Sequence, residues 1–355
     1  GHSESVGTRC RVRRRPHAGP KALRETSPQA PSELPGVPRQ RAAGVSRRAL
    51  ETRGLTKTFG SHDAVSQLSL QVPTGSVFGF LGPNGSGKTT TIRMLLGLAE
   101  ATEGDIKLLG HSIPSQLNVA LPKVGALVEG PAFYPYLSGR KNLRRFDAAD
   151  RFSDPTTRSA RVDQALARVG LANAADKKAG AYSLGMKQRL GLANALLKPR
   201  DLLILDEPTN GLDPQGTREV RNLIRSLAAE GITIFLSSHL LGEIEQLCSH
   251  VAVMSEGHLV AHGTLEELRS GTSARLVVEV DKVTQARTIL KGLGIIAPTG
   301  QGTRLIAPVA ASVNAAEVNA ALVAAGVKVS AIAIEQPSLE EYFVSLTGEG
   351  FDVAR

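Results

Sequence analysis

With 355 residues, of which 41% are hydrophobic and 21% charged, the chain has apolar material for two or three folded cores, so global disorder is excluded. Its two cysteines, Cys10 and Cys248, exclude a disulfide scaffold and a Cys-rich zinc site and read as reduced thiols; no stretch reaches the roughly 18–20 uninterrupted apolar residues that a membrane span requires. The net charge of +9 lies almost wholly in residues 1–50, which hold 11 basic and three acidic residues, so the nearly neutral remainder gives no argument for a nucleic-acid-binding body.

Residues 1–50 also carry six of the 19 prolines and show neither helical nor strand period, which predicts a disordered basic tail. No apolar core of a secretory signal is present. An arm for anionic lipid or nucleic acid is one reading. A passive tail, with Val45 as an alternative start of the folded product, is the other. From 51 to 270, short apolar runs alternate with helical patterns. Residues 76–81 (SVFGFL), 202–205 (LLIL), 232–236 (ITIFL) and 251–254 (VAVM) are continuous apolar runs. Such runs between helices mark a parallel sheet covered on both faces. Between about 138 and 198 only helical periodicity and caps remain, which predicts a helical subdomain inserted in an α/β core. Residues 271–350 predict a C-terminal accessory α+β domain. Strands are expected at 275–280, weakly at 295–297, at 303–307 and at 327–334, with helices at 284–293 and 315–325. That order, β-α-β-β-α-β, is ferredoxin-like, and residues 337–346 would add a closing helix.

Residues 82–90 read GPNGSGKTT and fit G-x-x-x-x-G-K-[ST]. Gly82, Gly85 and Gly87 let backbone N–H groups converge on phosphate oxygens without side-chain obstruction. Pro83, Asn84 and Ser86 complete the cradle. Lys88 reaches the β- and γ-phosphates, Thr89 offers a hydroxyl to Mg2+, and Thr90 continues a helix whose N-terminus points at the nucleotide. Asp206 and Glu207 follow the run LLIL, at the carboxyl end of a buried strand, where α/β sheets bind ligands. Asp206 suits magnesium and Glu207 suits polarisation of an attacking water.

With these motifs in this order, the chain resembles the ATP-binding subunit of an ABC transporter over about residues 51–265. Residues 128–143 (VEGPAFYPYLSGRKNL) are similar to the Q-loop region. Residues 182–208 (YSLGMKQRLGLANALLKPRDLLILDEP) are similar to the signature motif, its helix and the Walker B strand. Residues 210–214 (NGLDP) resemble the D-loop, and His239 in LSSH resembles the switch histidine. The resemblance implies a P-loop NTPase core and two subunits paired head to tail, a homodimer in the simplest case. Ser183 and Gly185 of one subunit would face the γ-phosphate held by the other. It implies that His239 holds the attacking water with Glu207, that Asp213 couples the two sites, and that Phe59 stacks on adenine. His62, His111, His250, His258 and His262 have no partner pattern and read as surface or structural.

The signature, usually LSGGQ, reads YSLGM here, with Leu184 and Met186 as departures. Glu129 stands where the Q-loop Gln is usual; its carboxylate can ligate Mg2+ and adds negative charge beside the phosphates. These departures, and the ending PSLEEYFVSLTG, resemble the export-type subgroup of daunorubicin- and bacitracin-resistance ATPases. The implied function is ATP hydrolysis that powers export of a drug, antibiotic, lipid or other small molecule through a separate transmembrane permease. The subunit would sit on the cytoplasmic face of the cell membrane, with Tyr134 and Tyr136 either in the region that meets the permease or part of the core. The alternative is a soluble ABC ATPase acting on nucleic acid or a protein complex, for which the basic tail is the only support.

Overall fold

The computed structural model describes residues 48–128, 132–150, 152–270, 274–296, 298–300, 302–310, 313–335, 339, 341, 343 and 344. The tail up to residue 47 and Glu129 lie outside the described residues.

The chain enters through β1 (Arg48–Phe59), β2 (His62–Leu68) and β3 (Gln71–Pro73), then β4 (Val77–Leu81) and α1 (Lys88–Leu95). β5 (Glu103–Leu108), β6 (His111–Ile113), the short α2 (Leu117–Ala120) and β7 (Val124–Leu127) follow. β1 pairs antiparallel with β2, β3 and β5, and β5 with β6, giving a five-stranded sheet. Arg48, Ala49 and Leu50, expected in the tail, belong to β1: the side chains of Ala49 and Leu50 are buried, and two apolar residues are too short a run to stand out from the segment before them.

The helical subdomain is α3 (Gly139–Ala149), α4 (Arg158–Arg168) and α5 (Leu184–Ala195). Ser138 caps α3 by accepting from Lys141 N at 3.2 Å, and Ser183 caps α5 by accepting from Met186 N at 3.2 Å. Asp147 is buried between α3 and α4. It accepts from Arg161 Nη2 at 2.8 Å, Arg158 Nε at 2.9 Å and Ser153 Oγ at 2.5 Å. Burial pushes its carboxyl up, but those hydrogen bonds outweigh it and hold the group at about 2.

The chain returns through β8 (Leu202–Leu205), α6 (Pro214–Ala229), β9 (Thr233–Ser238), α7 (Leu241–Leu247), β10 (His250–Ser255), β11 (His258–Thr264) and α8 (Leu265–Ser270). The second sheet runs β11-β10-β4-β9-β8-β7, parallel except for β11. β4, β7 and β8 are apolar along their length because both faces are covered. Leu202 and Ile204 share one core with Phe78, Phe80, Phe235 and Met254. Leu203 and Leu205 face the other, with Ile234, Leu236 and Val253. The carboxyl ends of β4, β8 and β9 thus open side by side.

The C-terminal domain comprises β12 (Arg275–Val280), α9 (Val283–Gly292), β13 (Arg304–Pro308), α10 (Ala315–Ala324) and β14 (Val329–Glu335). Its sheet is antiparallel in the order β13-β12-β14. Of the weak strand expected at 295–297, Ala297 lies outside the described residues, and the neighbouring pairing is a single bridge between Thr299 and Ile306 on β13. That edge is where a ferredoxin-like domain would hold its second strand; among the described residues the bridge is the pairing formed there. The expected closing helix contributes Leu339 and Phe343, which are buried in the core of the first domain with Val220, Leu223, Leu241 and Ile244.

Candidate functional site

The turn from β4 into α1 is built on positions no larger residue could fill. A Cβ on Gly82 would lie 2.5 Å from Ser86 Oγ and 2.6 Å from Met254 O. Gly87, at φ 97°, would push a Cβ to 2.4 Å from Ala64 O. A Cβ on Gly85 would meet open space. Gly87 is the N-cap of α1 and offers no side-chain cap, which leaves the first-turn N–H groups available to an anion. Ser86 Oγ is buried and has no hydrogen-bond partner among the described residues. An orphaned hydroxyl and uncapped amides fit a polyphosphate.

Lys88 is 6% exposed and donates to Gly82 O at 2.6 Å and Pro83 O at 3.0 Å. Its Nζ lies 3.6 Å from Glu207 Oε1, an ion pair beyond hydrogen-bond length. Burial pushes the ammonium down from its ordinary value, and the charges of Glu207 and Asp206 offset part of that push.

Asp206 and Glu207 stand at the carboxyl end of β8. Thr89 Oγ1 donates to Asp206 Oδ2 at 3.0 Å, and Ser237 Oγ donates to Asp206 Oδ1 at 2.5 Å. Glu207 takes φ 46°, a strained backbone for a residue with a side chain. Its N–H donates to Ser237 Oγ at 2.9 Å, its Oε2 lies 2.8 Å from His239 Nδ1, and its Oε1 is buried with no hydrogen bond among the described residues. Lys88, Thr89, Asp206, Glu207 and His239, expected to act together, are therefore brought together.

The other expected residues are placed around this centre. Asp213 caps α6 by accepting from Gly216 N at 2.9 Å. Ser183 is the N-cap of α5, and a Cβ on Gly185 would lie 3.8 Å from both Gly216 Cα and Leu212 Cδ2, so the signature turn sits beside the D-loop. Phe59, at the end of β1, is 57% exposed, with Lys57 Nζ 4.9 Å above its ring. Tyr136 is exposed and meets Tyr134 edge to face, while Arg145 stacks on Tyr134. Ser237 went unrecognised in the sequence, although the pair of hydroxyls in LSSH is visible there.

The sequence profile of the ABC transporter family matches residues 65–210. Over 303 residues, 85% of this chain and 98% of that protein, the chain is 40% identical to the bacitracin transport ATP-binding protein BcrA of Bacillus licheniformis. The chain belongs to the ABC transporter family. It is likewise 36% identical over 306 residues to the daunorubicin resistance ATP-binding protein DrrA3 of Streptomyces coeruleorubidus, covering 85% of this chain and 96% of that one. Among solved structures, cbiO1 of Clostridium perfringens, part of the ABC transporter complex cbiONQ, superposes with a TM-score of 0.58 at 26% identity. It covers 70% of this chain and 96% of its own. This ABC protein is an ATPase: it binds ATP and hydrolyses it.

Proposed function

We propose that this ABC ATPase is the energy-coupling subunit of an exporter and drives a separate membrane permease from the cytoplasmic face of the membrane. The observation that carries this reading is the convergence of Lys88, Thr89, Asp206, Glu207 and His239 at the carboxyl ends of β4, β8 and β9. No helix among the described residues is long and apolar enough to cross a membrane, which supports a partner that does. The relatives named for bacitracin transport and daunorubicin resistance support a drug-like or antibiotic cargo.

The chemistry follows from the placement. Lys88 neutralises the β- and γ-phosphates from inside the cradle. Thr89 Oγ1 and Asp206 Oδ2, hard oxygen donors 3.0 Å apart, suit Mg2+, with Glu129 a further ligand. When bound, the ion neutralises charge on the phosphate oxygens. Glu207 polarises the attacking water through Oε1, and His239 fixes the carboxylate through Oε2. Ser183, Gly185 and the N-terminus of α5 face the nucleotide held by a second copy, whose own signature turn in turn faces the nucleotide in this copy's cradle. Asp213 links the two sites, and Phe59 stacks on adenine from an exposed position.

Affinity purification of the chain from its own detergent-solubilised membranes, with mass spectrometry, tests the reading. A stoichiometric polytopic membrane protein is the expected companion. A chain that purifies alone, or with nucleic acid, would overturn the transporter assignment.

A further inference from the structure

We propose that Ser237 is a positioning residue for ATP hydrolysis, and that its single hydroxyl sets the geometry of both Asp206 and Glu207. The inference rests on the roles assigned above to those two carboxylates. Ser237 is fully buried on β9, next to β8 in the sheet. The register pairs Leu205 with Leu236, and one step further the chain of β8 leaves the ladder as Glu207 turns to φ 46°. There the Ser237 hydroxyl takes the place of a backbone partner.

The direction of its bonds is forced by chemistry. An ionised carboxylate can only accept, so the lone O–H of Ser237 goes to Asp206 Oδ1 at 2.5 Å. An oxygen lone pair is then left to accept the Glu207 N–H at 2.9 Å. Asp206 is consequently held through Oδ1, which leaves Oδ2 turned to Thr89 Oγ1 at 3.0 Å, the pair proposed to hold the metal. Glu207 is held through its N–H by Ser237 and through its Oε2 by His239 at 2.8 Å, which leaves Oε1, 3.6 Å from Lys88 Nζ and without a hydrogen bond among the described residues, to face water.

Its neighbour does something else. Successive side chains on a strand point to opposite faces, and Ser238 Oγ bonds Glu243 Oε2 at 3.0 Å and the Leu240 N–H at 3.0 Å. Glu243 Oε2 in turn accepts from Thr209 Oγ1 at 2.6 Å. The two hydroxyls of LSSH are therefore not interchangeable. Ser237 serves the reacting groups, and Ser238 fastens the turn after β9 to α7.

The test compares Ser237→Ala, which deletes the hydroxyl, with Ser237→Thr, which keeps it. Groups that orient a metal ligand or a base are worth about 10–100-fold in metal affinity or activity. Ser237→Ala should therefore lose about 10–100-fold in kcat. ATP affinity in EDTA should stay within about twofold, since Lys88 and the cradle are untouched. Mn2+ affinity of the ADP complex, read by electron paramagnetic resonance, should weaken about tenfold or more. Ser237→Thr should recover most of both losses. Ser237→Ala with kcat and Mn2+ affinity within about twofold of the parent would overturn the inference. So would a joint fall in melting temperature, metal-free ATP affinity and turnover that Thr does not rescue, since that pattern marks a packing role. Glu207→Gln is measured in parallel. If it turns over normally, the assignment of the base has failed; if it is inactive while Ser237→Ala is normal, this inference alone has failed.

Discussion

Asn in place of Asp147 removes the charge that ties α3 to α4 while keeping the side chain's shape. In the folded chain the carboxyl sits at about 2, against an ordinary value of 3.8. At about 1.4 kcal/mol per unit, that depression corresponds to about 2.4 kcal/mol of stabilisation. Arg158 and Arg161 keep 24% and 19% of their side-chain surface exposed, and solvent screening trims the figure to about 2 kcal/mol. A loss of that size raises local opening about thirtyfold. Amide hydrogen exchange across α3 and α4 is the direct readout, because it reports this subdomain apart from the rest. The sign with pH is fixed by a lowered folded-state value. The stabilisation is complete above the unfolded value near 4 and disappears as pH falls through about 2. The parent's advantage in protection should be flat from pH 7 to 5 and drop to about a third of its free energy by pH 2.5. An Asp147→Asn variant with protection within about threefold of the parent at pH 7 would refute the reasoning. So would a difference undiminished at pH 2.5.

Lys88→Ala should abolish ATP binding or turnover, checked by nucleotide binding and phosphate release, because no other ammonium donates inside the turn among the described residues. Phe59→Ala should raise KM for ATP about tenfold with kcat little changed, since base stacking is worth about 1–3 kcal/mol and takes no part in the chemistry. Phe343→Ala should cost about 3–5 kcal/mol in the unfolding of the ATPase domain itself, measured by calorimetry, because the ring is buried in that domain's core.

The parallel sheet was legible because its strands are covered on both faces: runs such as LLIL carry no polar interruption and stand out in a plain reading. The cradle was legible because the approach of Gly82 to Met254 and of Gly87 to Ala64 admits no other residue, so the glycines are fixed in the sequence. Ser138 and Ser183 each cap a helix of the inserted subdomain, the hydroxyl satisfying an orphan amide. The antiparallel sheet was not legible. β1 shifts register against β2 between Leu55 and Thr58 and against β5 between Arg53 and Thr56, and each shift breaks the alternation that would have marked it. Ser237 escaped because Ser238 is its chemical twin in the sequence; only the strand's face distinguishes them. Leu339 and Phe343 read as helix, and nothing local said which core they enter. Ser183 and Asp213 could be located, and among the described residues each caps the start of its own helix.

The measurement closest to the central claim is single-turnover hydrolysis by purified Glu207→Gln beside the parent. Glutamine keeps the contact available to His239 but cannot take a proton. Retained ATP binding with hydrolysis slowed about 100-fold or more is the predicted result, the range expected when a general base is lost. Turnover near the parent's rate, with ATP bound normally, would contradict the assignment of Glu207 as the group that activates water.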